Sequence, residues 1–132
     1  MRIIFDTLHV MEPTKKLPAR FYRNTHGNEP VREWLKSLTP AERQVIGKDM
    51  QKVEFGWPLG LPVCRPLGDG LWEARSDLPS RRTARVIFCI IAGQMILLHG
   101  FIKKTPQTPK RDLDIARVRK AETEQAGKET QP

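Results

Sequence analysis

The sequence is poor in the residues that build disulfide scaffolds and metal sites. It has two cysteines and three histidines in 132 residues, and none of them stands at a spacing typical of zinc ligands. Cys64 and Cys89 each lie on an apolar stretch, which predicts two buried free thiols rather than the bridges of a secreted domain. We therefore expect no bound metal and no cofactor.

Long apolar runs are missing as well. No segment approaches the roughly 18 to 20 apolar residues that cross a bilayer, and residues 1–6 lack the charged-then-apolar pattern of a secretory signal. Gly68-Asp69-Gly70 lacks the Gly-Lys-Ser/Thr ending of a phosphate loop, and there is no Gly-x-Ser-x-Gly elbow. The sequence predicts a soluble cytoplasmic protein without a membrane partner, and it argues against a GTPase, a dinucleotide oxidoreductase or an α/β-hydrolase.

The sequence carries an excess of positive charge. It has 23 Lys and Arg against 15 Asp and Glu, with a formal net charge of +8. Most of the excess falls between Arg65 and Arg111, where basic residues far outnumber acidic ones. Clustered Lys and Arg displace counterions from phosphates, so the expected partner is a polyanion. The alternative is a solvated basic surface that serves solubility.

Three helices are predicted from their start signals and apolar spacing. Pro30 suits the first position of a short amphipathic helix. Thr39 and Glu42 have the spacing of a capping box for a second helix, which Gly56 ends. A third helix is predicted after Thr108, which we assign as its N-cap.

The strands are predicted from alternating or continuous apolar runs rich in Val, Ile and Phe. The predicted strands are Met1–Val10, Leu17–Arg23, Leu61–Leu67, Leu71–Leu78, Thr83–Ile91 and Met95–Lys104. We expect an α+β fold, in which two N-terminal helices pack on a twisted antiparallel sheet of four or five strands and a C-terminal helix follows. The second face of the sheet is expected to be open.

The length supports one domain with a short segment at each end. We assign the domain to residues 17–121, an N-terminal extension apolar enough for one more strand to residues 1–16, and a polar flexible tail to residues 122–132.

Alternation places polar side chains on the open face of the predicted sheet. Glu73 and Arg75 fall on one side of their strand, and Arg85 lies on the next strand. If the last hairpin pairs as expected, Lys104 ends beside them. The alternative is that these charges pair across strands and serve only solubility. Strict alternation also puts His99 on the side of the apolar Leu97 and Phe101, which favours a packed core histidine over a catalytic one.

Three segments resemble the phage-derived HigB-type branch of the RelE/ParE toxin superfamily. They are Gly70–Asp77, Ala84–Phe88 and Leu97–Pro109, of which the last contains His-Gly-Phe-Ile-Lys-Lys-Thr-Pro-Gln-Thr-Pro. The resemblance implies a RelE-like fold and the toxin of a type II toxin-antitoxin pair. It further implies a metal-independent, ribosome-dependent mRNA endonuclease that inhibits translation through 2′-hydroxyl attack, with a cyclic phosphate product. The implied partners are mRNA on the ribosome and a cognate antitoxin of helix-turn-helix type.

The resemblance also implies roles for three residues. Arg75 falls near the attacking hydroxyl, Arg85 at the scissile phosphate, and Lys104 where a cationic acid or charge stabiliser stands. Further RNA contacts are expected from Arg65, Arg81, Arg82, Lys103, Lys110 and Arg111. The sequence departs from the RelE pattern because no aromatic residue follows Phe101, which leaves open a ParE-like inhibitor of DNA gyrase or a nucleic-acid-binding regulator.

Overall fold

The computed structural model describes residues 14–60 and 62–129, which form an α+β fold. In chain order the elements are β1 (Ala19–Phe21), α1 (Pro30–Lys36), α2 (Pro40–Gly56), β2 (Cys64–Gly68), β3 (Leu71–Asp77), β4 (Thr83–Ile91), β5 (Gln94–Ile102) and α3 (Lys110–Glu129). This order confirms the predicted fold class and agrees with the RelE-like architecture. The predicted strand at Met1–Val10 lies outside the described residues.

The five strands form one mixed sheet in the order β1-β5-β4-β3-β2. Strands β2 to β5 are an antiparallel meander, as predicted, and a two-residue turn at Ala92 and Gly93 joins β4 to β5. The first strand instead pairs with β5 in parallel, with Ala19 opposite Met95. Parallel neighbours need a long crossover connection, which α1 and α2 supply as the chain leaves β1.

The first two helices cover one face of the sheet. Val31 of α1 and Ile46 and Val53 of α2 are buried against Phe88 and Leu97 of the sheet. The predicted capping box starts α2: the Thr39 hydroxyl accepts from the Glu42 amide, and the Glu42 carboxylate accepts from the Thr39 amide. This face carries the larger apolar core.

The C-terminal helix covers part of the other face, so the prediction of an open face was wrong. Leu113 and Ala116 of α3 pack on a second cluster that includes Ile87 and Leu98. One turn later the Arg119 guanidinium donates to the Leu98 carbonyl at 2.8 Å. Polar side chains of α3 therefore supply part of its contact with the sheet.

The helix α3 also continues beyond the predicted domain boundary at residue 121. It is helical through Glu129, and the Tyr22 hydroxyl at the end of β1 donates a hydrogen bond to the Glu122 carboxylate. Part of the segment that we predicted to be a flexible tail is therefore bonded to the domain.

Both cysteines are free and buried, which confirms the packing prediction. Burial raises the pKa of each thiol to about 11. Within residues 14–60 and 62–129, none of the helices combines the length and apolarity that crossing a bilayer requires.

Candidate nucleic-acid interface

The sheet face that α3 partly covers carries a row of basic and aromatic side chains. Strand register places Arg65 opposite Glu73, and it aligns Arg75 with Arg85 and Arg85 with Phe101 across β3, β4 and β5. Because paired residues of neighbouring strands point to the same face, these side chains lie on one surface. The sequence prediction that Glu73, Arg75 and Arg85 share a face agrees with this register.

Glu73 and Arg85 form a buried ion pair at the centre of this face. Their exposed fractions are 2% and 5%, and Arg85 Nη1 donates to Glu73 Oε1 at 2.8 Å. Arg65 Nε donates to the same oxygen at 3.0 Å. Arg85 Nη2 donates to the Pro106 carbonyl at 3.3 Å, so the pair also holds the loop of residues 103–109 against the sheet.

Thr108 belongs to this network, and its assignment as the N-cap of α3 was wrong. Its hydroxyl donates to Glu73 Oε2 at 2.6 Å and accepts from Arg65 Nη2 at 3.0 Å. The helix begins at Lys110, and its first backbone bonds run from the Asp112 and Leu113 amides to the Pro109 carbonyl. Buried polar groups are almost always hydrogen-bonded, and the Thr108 hydroxyl is one of the donors that satisfy the buried Glu73 carboxylate.

A cavity of about 290 Å³ opens beside the ion pair. Its lining residues are Pro62, Val63, Arg65, Glu73, Arg75 and Arg85. The Arg75 side chain is 44% exposed and pairs with the exposed Asp77, which makes its guanidinium available at the rim. Burial lowers the pKa of Arg85, as do the charges of Arg65 and Arg75, while Glu73 opposes them. A guanidinium stays charged under such shifts, so three positive charges surround one carboxylate.

A groove of about 490 Å³ lies next to this cavity. Its walls include Trp34, Phe101, Ile102, Ile115 and Pro109, and its polar lining is His99, Lys104, Arg111 and Asp112. The cavity and the groove are neighbours because Arg85 lines one, Phe101 lines the other, and the two are strand partners. Lys104 thus lines the groove and lies next to the cavity, which we call the arginine cavity after Arg65, Arg75 and Arg85.

His99 points to the α3 face, whereas strict alternation had placed it on the side of Leu97. A bulge shifts the β4–β5 register: Phe88 pairs with Leu97, but Ile87 pairs with His99, so Leu98 is the extra residue. His99 Nε2 lies 2.6 Å from Asp112 Oδ1, and its side chain is 15% exposed. The histidine is mostly buried and stacks on Phe101, as a packed histidine does, but it also bonds to the Asp112 carboxylate.

The other predicted RNA contacts are distributed around the site. Arg65 lines the cavity and Arg111 lines the groove. Lys103 is half-buried, and Lys110 is exposed and paired with Asp114. The remaining two, Arg81 and Arg82, are in the β3–β4 turn, where Arg82 bonds to Glu42 of α2 on the opposite face.

Sequence reasoning missed three residues of the site: Trp34, Thr108 and Asp112. No local spacing links them to the strands, since each reaches the site from a helix or loop that tertiary packing brings over the sheet. Among the described residues, no group of three or more His, Cys, Asp or Glu side chains is arranged to hold a metal ion.

A comparison with known families matches the segment that carries this face. The family described as Phage derived protein Gp49-like (DUF891) matches residues 33–121, well over half of the chain. The match runs from α1 into α3 and includes β2 to β5 and both cavities. No curated protein matches the chain.

Proposed function

The chain belongs to the Gp49-like family of phage-derived proteins, and from that premise we propose that it is a RelE-like toxin of the HigB type, the toxic component of a type II toxin-antitoxin pair. Its activity is metal-independent endonucleolytic cleavage of mRNA on the ribosome in the cytoplasm, which inhibits translation. A cognate helix-turn-helix antitoxin neutralises it. The observation that supports this proposal is the concave cationic face formed by the arginine cavity and the adjoining groove.

The reaction requires little beyond what this face contains. RNA carries its own nucleophile, the 2′-hydroxyl, so the protein must orient it and stabilise the negative charge that grows on the phosphorus oxygens. Arg75 and Lys104 are exposed, and they can approach a phosphate from the cavity and from the groove. Fixed cations beside the scissile linkage stabilise the transition state more than the ground state, which is the source of rate acceleration.

Arg85 takes a different part from the one that the resemblance implies. Its side chain is buried, and it bonds to Glu73 and Pro106, so it acts as a fixed charge that positions the loop of residues 103–109. Lys104 belongs to that loop. Arg85 therefore supports catalysis by placing Lys104 as well as by adding positive potential.

The sequence lacks the aromatic residue that the RelE pattern has near the C terminus, but the groove contains two aromatic side chains. Trp34 and Phe101 line the groove, and aromatic faces stack on nucleobases without strong sequence preference. We propose that these two residues supply the stacking surface that the C-terminal segment lacks.

Induced expression followed by transcript mapping tests this function. The wild-type chain should stop growth, with translation falling before replication, and cut mRNA should end in 2′,3′-cyclic phosphates. Arg75→Ala and Lys104→Ala should relieve toxicity, whereas Lys52→Ala, an exposed lysine on α2 of the opposite face, should remain toxic. Full toxicity of both site variants would contradict the assignment of this face.

The same experiment separates the alternatives. Early arrest of replication with gyrase-linked DNA breaks would point to a ParE-like gyrase inhibitor. Binding of nucleic acid without any cleavage or growth arrest would point to a regulator.

A further inference from the structure

His99 and Asp112 form a carboxylate–imidazole pair inside the aromatic groove. The two residues come from different elements, β5 and the first turn of α3, and their side chains meet at 2.6 Å. The imidazole also stacks on Phe101, with ring centroids 5.6 Å apart and planes inclined by 20°. These two contacts fix both the position and the plane of the ring.

The second ring nitrogen of His99 is left available. Asp112 engages Nε2, and no hydrogen bond joins Nδ1 to any of the described residues. The only buried side-chain polar atom without a partner in the described part of the chain is Arg85 Nε, so Nδ1 is not sealed from the surface. Because the Asp112 carboxylate accepts a hydrogen bond from Nε2–H, Nδ1 is the acceptor nitrogen of a neutral imidazole.

The His99–Asp112 pair has features that a contact serving only to hold α3 on β5 does not require. A contact that only fastens α3 to β5 could be made by any donor, and Arg119 already makes one to the Leu98 carbonyl. Here the acceptor nitrogen belongs to a residue that lines a groove of about 490 Å³, together with Lys104 and Arg111. Such a combination of base, cation and aromatic wall suits a ribonucleotide.

We propose that His99, oriented by Asp112, is the general base that takes the proton from the 2′-hydroxyl of an RNA nucleotide bound in this groove. This proposal rests on the proposed ribonuclease function and names the base for it. The proton passes from the 2′-oxygen to Nδ1, the 2′-oxygen bonds to phosphorus, and the bond from phosphorus to the 5′-oxygen breaks. The leaving 5′-oxygen takes a proton from the Lys104 ammonium, and both groups are restored by exchange with water.

The charges around His99 keep it in the form that a base requires. Burial lowers the pKa of His99 below its ordinary value of 6.5, and the hydrogen bond and charge of Asp112 oppose this. Arg119 and Arg111 of the same helix lower the pKa further, and Lys104 faces the groove from the loop. The imidazole is therefore neutral at pH 7, and the rate should rise with pH through the pKa of His99.

Single-turnover cleavage of ribosome-bound mRNA between pH 5 and 8 tests the proposal. His99→Gln should lower the rate at least about 100-fold and abolish the rising limb. Asp112→Asn should also lower the rate, and it should move the limb to lower pH because it removes the group that raises the pKa. His26→Gln, at an exposed histidine in the β1–α1 connection, is the matched control and should keep the wild-type profile.

A binding measurement keeps the test independent of turnover and folding. A dinucleotide with a 2′-deoxy sugar cannot be cleaved, and its addition should shift the imidazole proton resonances of His99 but not those of His26. A wild-type rate and pH profile for His99→Gln, in a chain that cuts RNA, would overturn this inference alone. A wild-type chain that cuts no RNA would overturn the proposed function as well.

Discussion

Removal of the Arg85 side chain should destabilise the protein strongly. If Arg85 were instead an exposed contact to a phosphate, its removal would leave the free energy of unfolding almost unchanged. In Arg85→Met, Glu73, which is 2% exposed in the wild type, would lose the partner that bonds to it at 2.8 Å. Breaking one side of a buried ion pair costs about 3–5 kcal/mol. Arg65 and Thr108 still bond to Glu73, so we expect the lower end, about 3 kcal/mol.

The assay is urea and thermal denaturation at pH 7. For a domain of this size a loss of about 3 kcal/mol lowers Tm by roughly 10 °C. The matched control is Arg75→Met, on the same face of the neighbouring strand, with a side chain that is 44% exposed and pairs with Asp77. Exposed pairs contribute about 0–1 kcal/mol, so this variant should unfold close to the wild type.

A double variant separates the ion pair from general damage to the core. Glu73→Leu combined with Arg85→Met removes both charges, and apolar replacement of a buried pair is often neutral. We expect the double variant to recover most of the loss caused by Arg85→Met. If Arg85→Met unfolds within about 1 kcal/mol of Arg75→Met, the network does not hold this face together and the reasoning fails.

Two further predictions concern contacts of α1 and α2. A Cβ at Gly100 would lie 2.3 Å from the Trp34 ring, so Gly100→Ala should cost roughly 1–3 kcal/mol in urea denaturation. Gly47→Ala, with open space inside α2, should be neutral or stabilising, and equal losses in the two variants would contradict the steric argument. Hydrogen bonds from Arg82 and the Thr39 amide lower the pKa of Glu42 to about 2. Because this folded-state pKa lies below the ordinary value of 4.5, the stabilisation is present above pH 4.5 and disappears as pH falls towards 2. Glu42→Gln should lower Tm at pH 7, and its Tm should converge with that of the wild type near pH 2; parallel Tm curves would refute it.

The helices and strands of this protein follow from signals that lie within short stretches of its chain. Pro30 and the Thr39–Glu42 box placed the starts of α1 and α2, and the change to alternating apolar residues predicted the meander. These signals are local because a capping group or a turn acts within a few residues of chain. The same strand pattern predicted that Glu73, Arg75 and Arg85 share a face, since alternation fixes which side each residue takes.

The arrangement of side chains on that face depends on packing between distant parts of the chain. The bulge at Leu98 turned His99 towards α3, a change that one extra residue in a strand makes and that periodicity does not reveal. Asp112 and Thr108 reach their partners because α3 and the preceding loop pack over the sheet. Burial then made Arg85 a member of an ion pair and left Arg75 and Lys104 exposed. Residue type and spacing are the same for a buried and an exposed arginine, and the difference in their environment arises from contacts between segments that are distant in the chain.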